Sequence, residues 1–265
     1  MRKLLPILVT ILINNYSFSQ KVDTLNIFSF SMQKHIKTLV ISPSHTLKKE
    51  IPSVYILHGY SGNPERTIKE DIPSLLRLSQ EMETLFILPD GNYDSWYIDS
   101  KRINSKYETF IAVELVNYID KKYSTDSSKT AIMGWSMGGH GALYIGARHQ
   151  NVFNIIGSIS GAIDFTSYGK DYGVEKLLGE KNKLWLNYTA DSQISQLKKS
   201  KQKILISCGI DDNFIKQNRD LHQKLIALNI PHIYEERSGE HNAAYWSKVA
   251  NTQLFHINNY FNGKE

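Results

Sequence analysis

The sequence predicts a single α/β domain with a mostly parallel central sheet flanked by helices. Three observations carry this expectation. Short β-rich runs recur along the chain, and several are almost wholly apolar, as strands buried on both faces should be. Segments with apolar residues at helical spacing stand between them, which is the alternation that βαβ units require. Nothing divides the chain: its 265 residues, 41% hydrophobic and 22% charged, contain no internal repeat, low-complexity tract or Pro/Ser linker. One α/β domain of this length is ordinary. The composition excludes collagen, coiled coils, disordered tails and multi-span membrane proteins. The lone Cys208 excludes a disulfide framework.

The first twenty residues stand apart. Arg2 and Lys3 precede a ten-residue apolar run, residues 4–13, and a polar stretch ends in Ser17, Phe18, Ser19 and Gln20. A basic start, a short apolar run and small residues near its end read as a secretory signal peptide over 1–20. Spanning a bilayer needs ~20 apolar residues, so the run is too short for that. Cleavage near Ser19 or Gln20 removes two positive charges, and the net charge of +5 falls to +3. The remaining domain, 21–265, is expected to be secreted or periplasmic, without an integral membrane segment. Its lysines are scattered and its basic runs are short, so no nucleic-acid partner is expected.

Strands are expected at 36–42, 53–57, 84–88, 129–133, 155–160, 203–208 and 232–236. The helix expected at 105–122 carries Tyr107, Ile111, Leu115, Tyr118 and Ile119 on one face. A second, 213–228, carries Ile215, Leu221, Leu225 and Leu228, and 243–261 is the closing helix. Sheets of this kind place their chemistry just beyond the carboxyl ends of the strands.

The strand ending Ala131-Ile132-Met133 runs into Gly134-Trp135-Ser136-Met137-Gly138 and then into a helical stretch. This is G-x-S-x-G between a strand and a helix. A serine projecting from so tight a turn needs neighbours without a Cβ, which Gly134 and Gly138 supply. The helix start behind it offers N–H groups to a developing oxyanion. Ser136 is therefore the candidate nucleophile, and it needs a base and a group to orient that base. The strand ending Ser207-Cys208-Gly209 leads to Asp211 and Asp212. Either suits the orienting acid, and the other would cap the following helix. His241 lies on the loop between the last strand and the last helix, where the base belongs. His232 sits at the wrong end of its strand, and His222 and His256 lie within helices.

One oxyanion donor is expected from the N–H of Met137. The other is expected from the loop His58-Gly59-Tyr60-Ser61-Gly62, with Tyr60 the candidate and Gly59 the alternative. His58, which ends a buried strand, reads as structural. His140 reads as a packing or pocket residue. Trp96 and Tyr97 follow an early strand and are candidates to line the substrate pocket. The segment 162–202, with Phe165, Tyr168, Tyr172, Trp185 and Tyr188, is expected to cover the sheet's end and shape that pocket.

The runs HGYSGN, LPDGNYDSWYIDS, AIMGWSMGGHGAL, SISG, SCGIDDNF and SGEHNAAYW appear in the order found in the esterase branch of the α/β hydrolases. That branch includes esterase D or S-formylglutathione hydrolase, tributyrin esterases, feruloyl and acetylxylan esterases, and mycolyltransferases. The resemblance spans roughly residues 35–262 and implies an α/β-hydrolase fold. It implies Ser136 as nucleophile and His241 as base. Its G-x-x-D pattern, counted from Gly209, implies Asp212 rather than Asp211, and its oxyanion loop again implies Tyr60. The export signal departs from the cytosolic formylglutathione hydrolases.

The expected activity is that of a secreted serine carboxylic-ester hydrolase. Its substrates would be small acyl esters or acylated carbohydrates of acetyl or feruloyl type, cleaved through an acyl-serine. An acyltransferase with the same residues, or a non-catalytic carbohydrate-binding relative, is the alternative. No metal or organic cofactor is implied. The histidines do not fall at ligand spacings, and neither G-x-G-x-x-G nor a P-loop is present.

Overall fold

In the computed structural model, which describes residues 21–168 and 170–264, the apolar runs become one eight-stranded sheet. Its strands are β1 (Lys21–Ser29), β2 (Lys34–Ser42), β3 (Ile51–Leu57), β4 (Leu85–Pro89), β5 (Thr125–Trp135), β6 (Ile155–Ile159), β7 (Lys203–Gly209) and β8 (Ile233–Arg237). They lie in the order β1-β2-β4-β3-β5-β6-β7-β8. β2 runs antiparallel to both β1 and β4, and the remaining pairs are parallel. This is an α/β-hydrolase fold. The expected signal segment 1–20 lies outside the described residues.

Side chains alternate across a strand, and that explains why the central strands are apolar throughout. Tyr55 and Leu57 of β3 and Ile87 of β4 enter one buried cluster. Val54, Ile56, Phe86 and Leu88 enter the other. The first cluster is closed by Met137–Arg148, Ile215–Ala227 and the helical residues 107–123. The second is closed by Leu75–Met82 and Ala243–Phe261.

Each expected strand is present, with shifts of a few residues at the ends. The expected helix over 105–122 is helical from Tyr107, and its middle, Phe110–Leu115, is π-helical. Besides short helical turns between Pro64 and Asp71 and between Val174 and Lys199, a strand and a helix were not expected. β1 pairs only with β2, and only Ile27 and Ser29 of its residues are buried, so it carries little apolar signal. Leu75–Met82 is an eight-residue helix with three buried residues, Leu75, Ser79 and Met82.

The parallel strands all point their carboxyl ends toward one edge. The loops after β3, β5, β7 and β8 meet there. Their approach is closest at the elbow: a Cβ on Gly138 would stand 2.0 Å from the Leu57 carbonyl oxygen, and one on Gly134 would stand 2.5 Å from the same atom. A backbone oxygen cannot swing aside as a side chain does. Gly138→Ala is therefore expected to cost at least ~3 kcal/mol or leave no soluble protein. Urea unfolding checks this, and a midpoint equal to wild type would contradict the packing described.

Candidate active site

β5 ends at Trp135, and the chain turns sharply into the helix Met137–Arg148. Ser136 sits at the corner with φ 57° and ψ −121°, a backbone conformation costly for any residue with a side chain. Three hydrogen bonds hold it there. Its N–H donates to Ile159 O at 3.0 Å, and its carbonyl accepts from His140 N and Ala162 N, each at 3.1 Å. The corner presents Oγ at the mouth of a cleft while the residue stays 9% exposed.

His241 arrives on the loop after β8, immediately before Asn242, whose side chain caps Ala243–Phe261 by accepting from Tyr245 N. The imidazole Nε2 lies 2.9 Å from Ser136 Oγ. Its Nδ1 lies 2.9 and 3.1 Å from the two oxygens of Asp212. Phe214 and Trp246 meet the ring edge-on, with centroids at 4.9 and 5.0 Å, and so restrict its rotation. Asp212 follows β7 and is buried, whereas Asp211 is exposed. Burial pushes the Asp212 carboxyl up. Hydrogen bonding and charge attraction from His241, with the Phe214 N–H at 2.8 Å, outweigh this and hold it below the usual range. The structure thus joins Ser136, His241 and Asp212 in one hydrogen-bonded chain. The polarity of that chain suits proton removal from the serine hydroxyl.

Tyr60 and Met137 line the same cleft as Ser136 and His241. Met137 is the first residue of its helix, so its N–H has no carbonyl one turn back. The loop carrying Tyr60 is pinned by His58, which is buried. His58 Nδ1 is 2.8 Å from the Gly59 carbonyl, and Nε2 is 2.8 Å from Gly91 N. Both ring nitrogens thus meet backbone groups of two different loops, which makes His58 a structural clamp.

Trp96 lines the cleft as expected, with its indole N–H donating to Tyr172 O at 2.9 Å. Tyr97 and His140 do not line it: the pocket role of both is corrected, and of the two readings of His140 the structure shows the packing one. Tyr97 is fully buried, and its hydroxyl donates to His58 O at 3.0 Å. Its ring also fills the space beside Gly91 and Gly141. His140 is fully buried one helical turn behind Ser136, with Nδ1 3.1 Å from Trp96 O and Nε2 3.0 Å from Tyr188 O. Both residues hold loops instead of meeting the cleft.

The cleft also takes in Arg66, Asp71, Trp135, Phe214 and Trp246, which sequence reasoning did not place there. Phe214 and Trp246 stand within the runs DDNF and HNAAYW, close to the acid and base, and that proximity is the signal that could have found them. Arg66 and Asp71 carry no such signal. Tyr168 and Tyr172, from the segment 162–202, complete one wall. Among the described residues no group of three or more His, Cys, Asp or Glu is placed to hold a metal ion.

The family model described as "Putative esterase" matches residues 29–256. An acetyl esterase of Caldicellulosiruptor saccharolyticus is 28% identical over 254 residues, covering 86% of this chain and 94% of the relative. A ferulic acid esterase structure matches with a TM-score of 0.77 at 23% identity, over 92% of this chain and 99% of that one. A fluorophosphonate-binding serine hydrolase of Staphylococcus aureus matches with a TM-score of 0.80 at 22% identity, over 91% and 99%.

His140 gives a pH prediction. Burial, the larger influence, holds its imidazole down to about 4, although the two carbonyls pull the other way. An unfolded histidine takes its proton near pH ~6.5. Between those values the unfolded chain binds one more proton than the folded chain, so stability falls as pH drops from 6.5 toward 4. His140→Gln should flatten this slope. Between pH 7 and 4.5 the variant should lose roughly 2 kcal/mol less than wild type. Urea unfolding at the two pH values measures it, and parallel losses would contradict the assignment.

Proposed function

The chain belongs to the Putative esterase family and is a serine carboxylic-ester hydrolase, and we propose that it is an exported enzyme cleaving short acyl esters, acetyl foremost, from small or carbohydrate alcohols. The observation that carries the site assignment is the unbroken contact from Asp212 through His241 to Ser136 Oγ. The short acyl preference is supported by a cleft of about 290 Å³, at the small end of the ~300–1,000 Å³ usual for ligand pockets. The acetyl esterase that resembles the chain over most of its length supports it too. Export rests on the signal pattern of residues 1–20.

In this reading, His241 Nε2 takes the Ser136 proton as Oγ attacks the ester carbonyl carbon. The carbonyl oxygen becomes a tetrahedral oxyanion, held by the N–H groups of Tyr60 and Met137. The C–O bond to the alcohol breaks, His241 returns the proton to the departing oxygen, and acetyl stays on Oγ. Water then repeats the sequence, with His241 again as base, and releases acetate and free Ser136. Asp212 acts through His241. By accepting from Nδ1 it leaves the Nε2 lone pair facing the serine, and it stabilises the imidazolium once formed.

Purified protein is expected to turn over p-nitrophenyl acetate faster than the butyrate, and the butyrate faster than the octanoate or methyl ferulate. The activity should appear in the extracellular or periplasmic fraction of expressing cells. Ser136→Ala should lower kcat by about 10⁶. Equal activity of wild type and Ser136→Ala, or none on any of the four esters, would overturn the proposal.

Asp212→Asn keeps the shape of the buried acid. Its amide can donate to Nδ1 and so force the wrong imidazole tautomer. A fall in kcat of about 10⁴ with little change in KM is expected. A matching loss in Asp211→Asn would contradict the choice between the two carboxylates.

A further inference from the structure

Two aromatic residues of the segment 162–202, Trp185 and Tyr188, do not line the catalytic cleft. They line a second cavity of about 450 Å³, which shares no residue with the first. Its volume falls within the ~300–1,000 Å³ usual for ligand pockets. Three cations line it, Lys101, Arg102 and Arg148, and no carboxylate does. Neither Lys101 nor Arg102 has an ion-pair partner among the described residues. Arg102 lies against bare backbone at Gly179, a residue with φ 86°, where a Cβ would stand 2.1 Å from Nη1. Arg148 lies over the Tyr144 ring, 5.1 Å from its centroid. Its hydrogen bond to Glu108, 2.6 Å long, uses Nε alone.

Tyr144 adds an independent observation. It lines the same cavity and is 2% exposed, with His140 stacked on its ring at 5.7 Å between centroids. Its hydroxyl has no hydrogen-bond partner among the described residues. The buried hydroxyls of Tyr55 and Tyr245 also lack partners, but they are sealed from solvent, and that of Tyr144 is not. A buried polar group nearly always finds a partner, so an open, unpaired donor beside two guanidinium groups points to an acceptor that the chain itself does not supply. Burial, and after it the nearby Glu108 carboxylate, pushes the phenol up, which keeps it a donor.

We propose that this second cavity binds an aryl carboxylate, whose anion is held by Arg102, Arg148 and the Tyr144 hydroxyl. A carboxylate only accepts hydrogen bonds, and guanidinium groups match its geometry with paired donors. The three cations repel a cationic ligand. The rest of the lining decides the body of the molecule. Trp185 has one polar atom, and its N–H already donates to Gly179 O at 3.1 Å. Leu177 and Leu178 stand in the same lining. A hydroxylated body would lose its water against these groups without gaining partners, whereas a flat carbon ring packs on them at no such penalty. A bare inorganic anion would use the donors and leave this surface uncovered.

Calorimetric titration of the wild type with 2-naphthoate, its neutral amide 2-naphthamide and inorganic phosphate tests the proposal. One naphthoate should bind per chain with Kd of about 1 mM or tighter, and the amide and phosphate about tenfold or more weakly. Arg102→Met and Tyr144→Phe leave the Glu108–Arg148 pair in place. Each should weaken naphthoate about fivefold or more while kcat/KM on p-nitrophenyl acetate stays at the wild-type value. Absence of binding, binding no tighter than that of the amide, or unchanged affinity in either variant would overturn the inference. So would competitive inhibition of ester hydrolysis that is equal in wild type and both variants, because it would place naphthoate in the catalytic cleft instead.

Discussion

The conformation of Ser136 is the constraint around which the rest of the site is arranged. A residue with a side chain held at φ 57°, ψ −121° persists only where its surroundings over-determine it. Here the determinants come from three strands. β5 delivers the chain, Ile159 at the end of β6 takes the serine N–H, and Leu57 at the end of β3 lies so near the elbow that only glycine fits at 134 and 138. The reward for this strain is geometric. Oγ reaches the cleft, and the next residue, Met137, begins a helix whose first N–H has no carbonyl one turn back.

The loops around the elbow are held by the same means on a larger scale. Trp96 and Tyr97 both adopt positive φ, 52° and 56°, so the segment after β4 is strained next to the strained serine. Tyr97 hydroxyl holds His58 O, His58 holds Gly59 O and Gly91 N, and His140 reaches Trp96 O from the elbow helix. The His58–Gly59 contact tightens one loop, and each of the other links joins a loop to its neighbour through a buried polar contact. Buried networks of this kind favour one arrangement strongly, because any alternative strands a desolvated donor or acceptor. The aromatic residues that a sequence reader would place at the substrate therefore divide. Trp96 faces the cleft, whereas Tyr97 and His140 brace the loop behind it.

That division marks the boundary of what the sequence reveals. Burial on both faces of the sheet makes β2 to β7 legible as apolar runs, and β8, an edge strand without a buried residue, is legible only from its β-rich residue types. The elbow is legible because glycine is demanded at fixed offsets from a serine. His241 is legible from its place before the last helix, and Asp212 only by family resemblance, since spacing leaves Asp211 equal to it. Burial separates the two in the structure. β1 is illegible because an edge strand buries little. Arg66 and Asp71 are illegible because nothing in PERTIKED signals that a π-helical turn will swing the final carboxylate toward a cleft built by distant loops.

Two buried carboxylates, Asp212 behind His241 and Asp71 on the cleft wall, show how one fold can hold the same functional group in opposite ways. Asp212 accepts from the Phe214 N–H and from His241, and its ionised form is favoured despite burial. Its bonding capacity is spent within the protein, which is what orienting an imidazole requires. Asp71 is as deeply buried, yet Arg66 Nε stands 3.5 Å from it and 3.5 Å from Glu70 as well, and burial prevails in pushing its carboxyl up. The same carboxyl group is thus kept ionised where aligned donors reach it and pushed up where none does, so burial alone does not set its state; the donors that the fold places around it do.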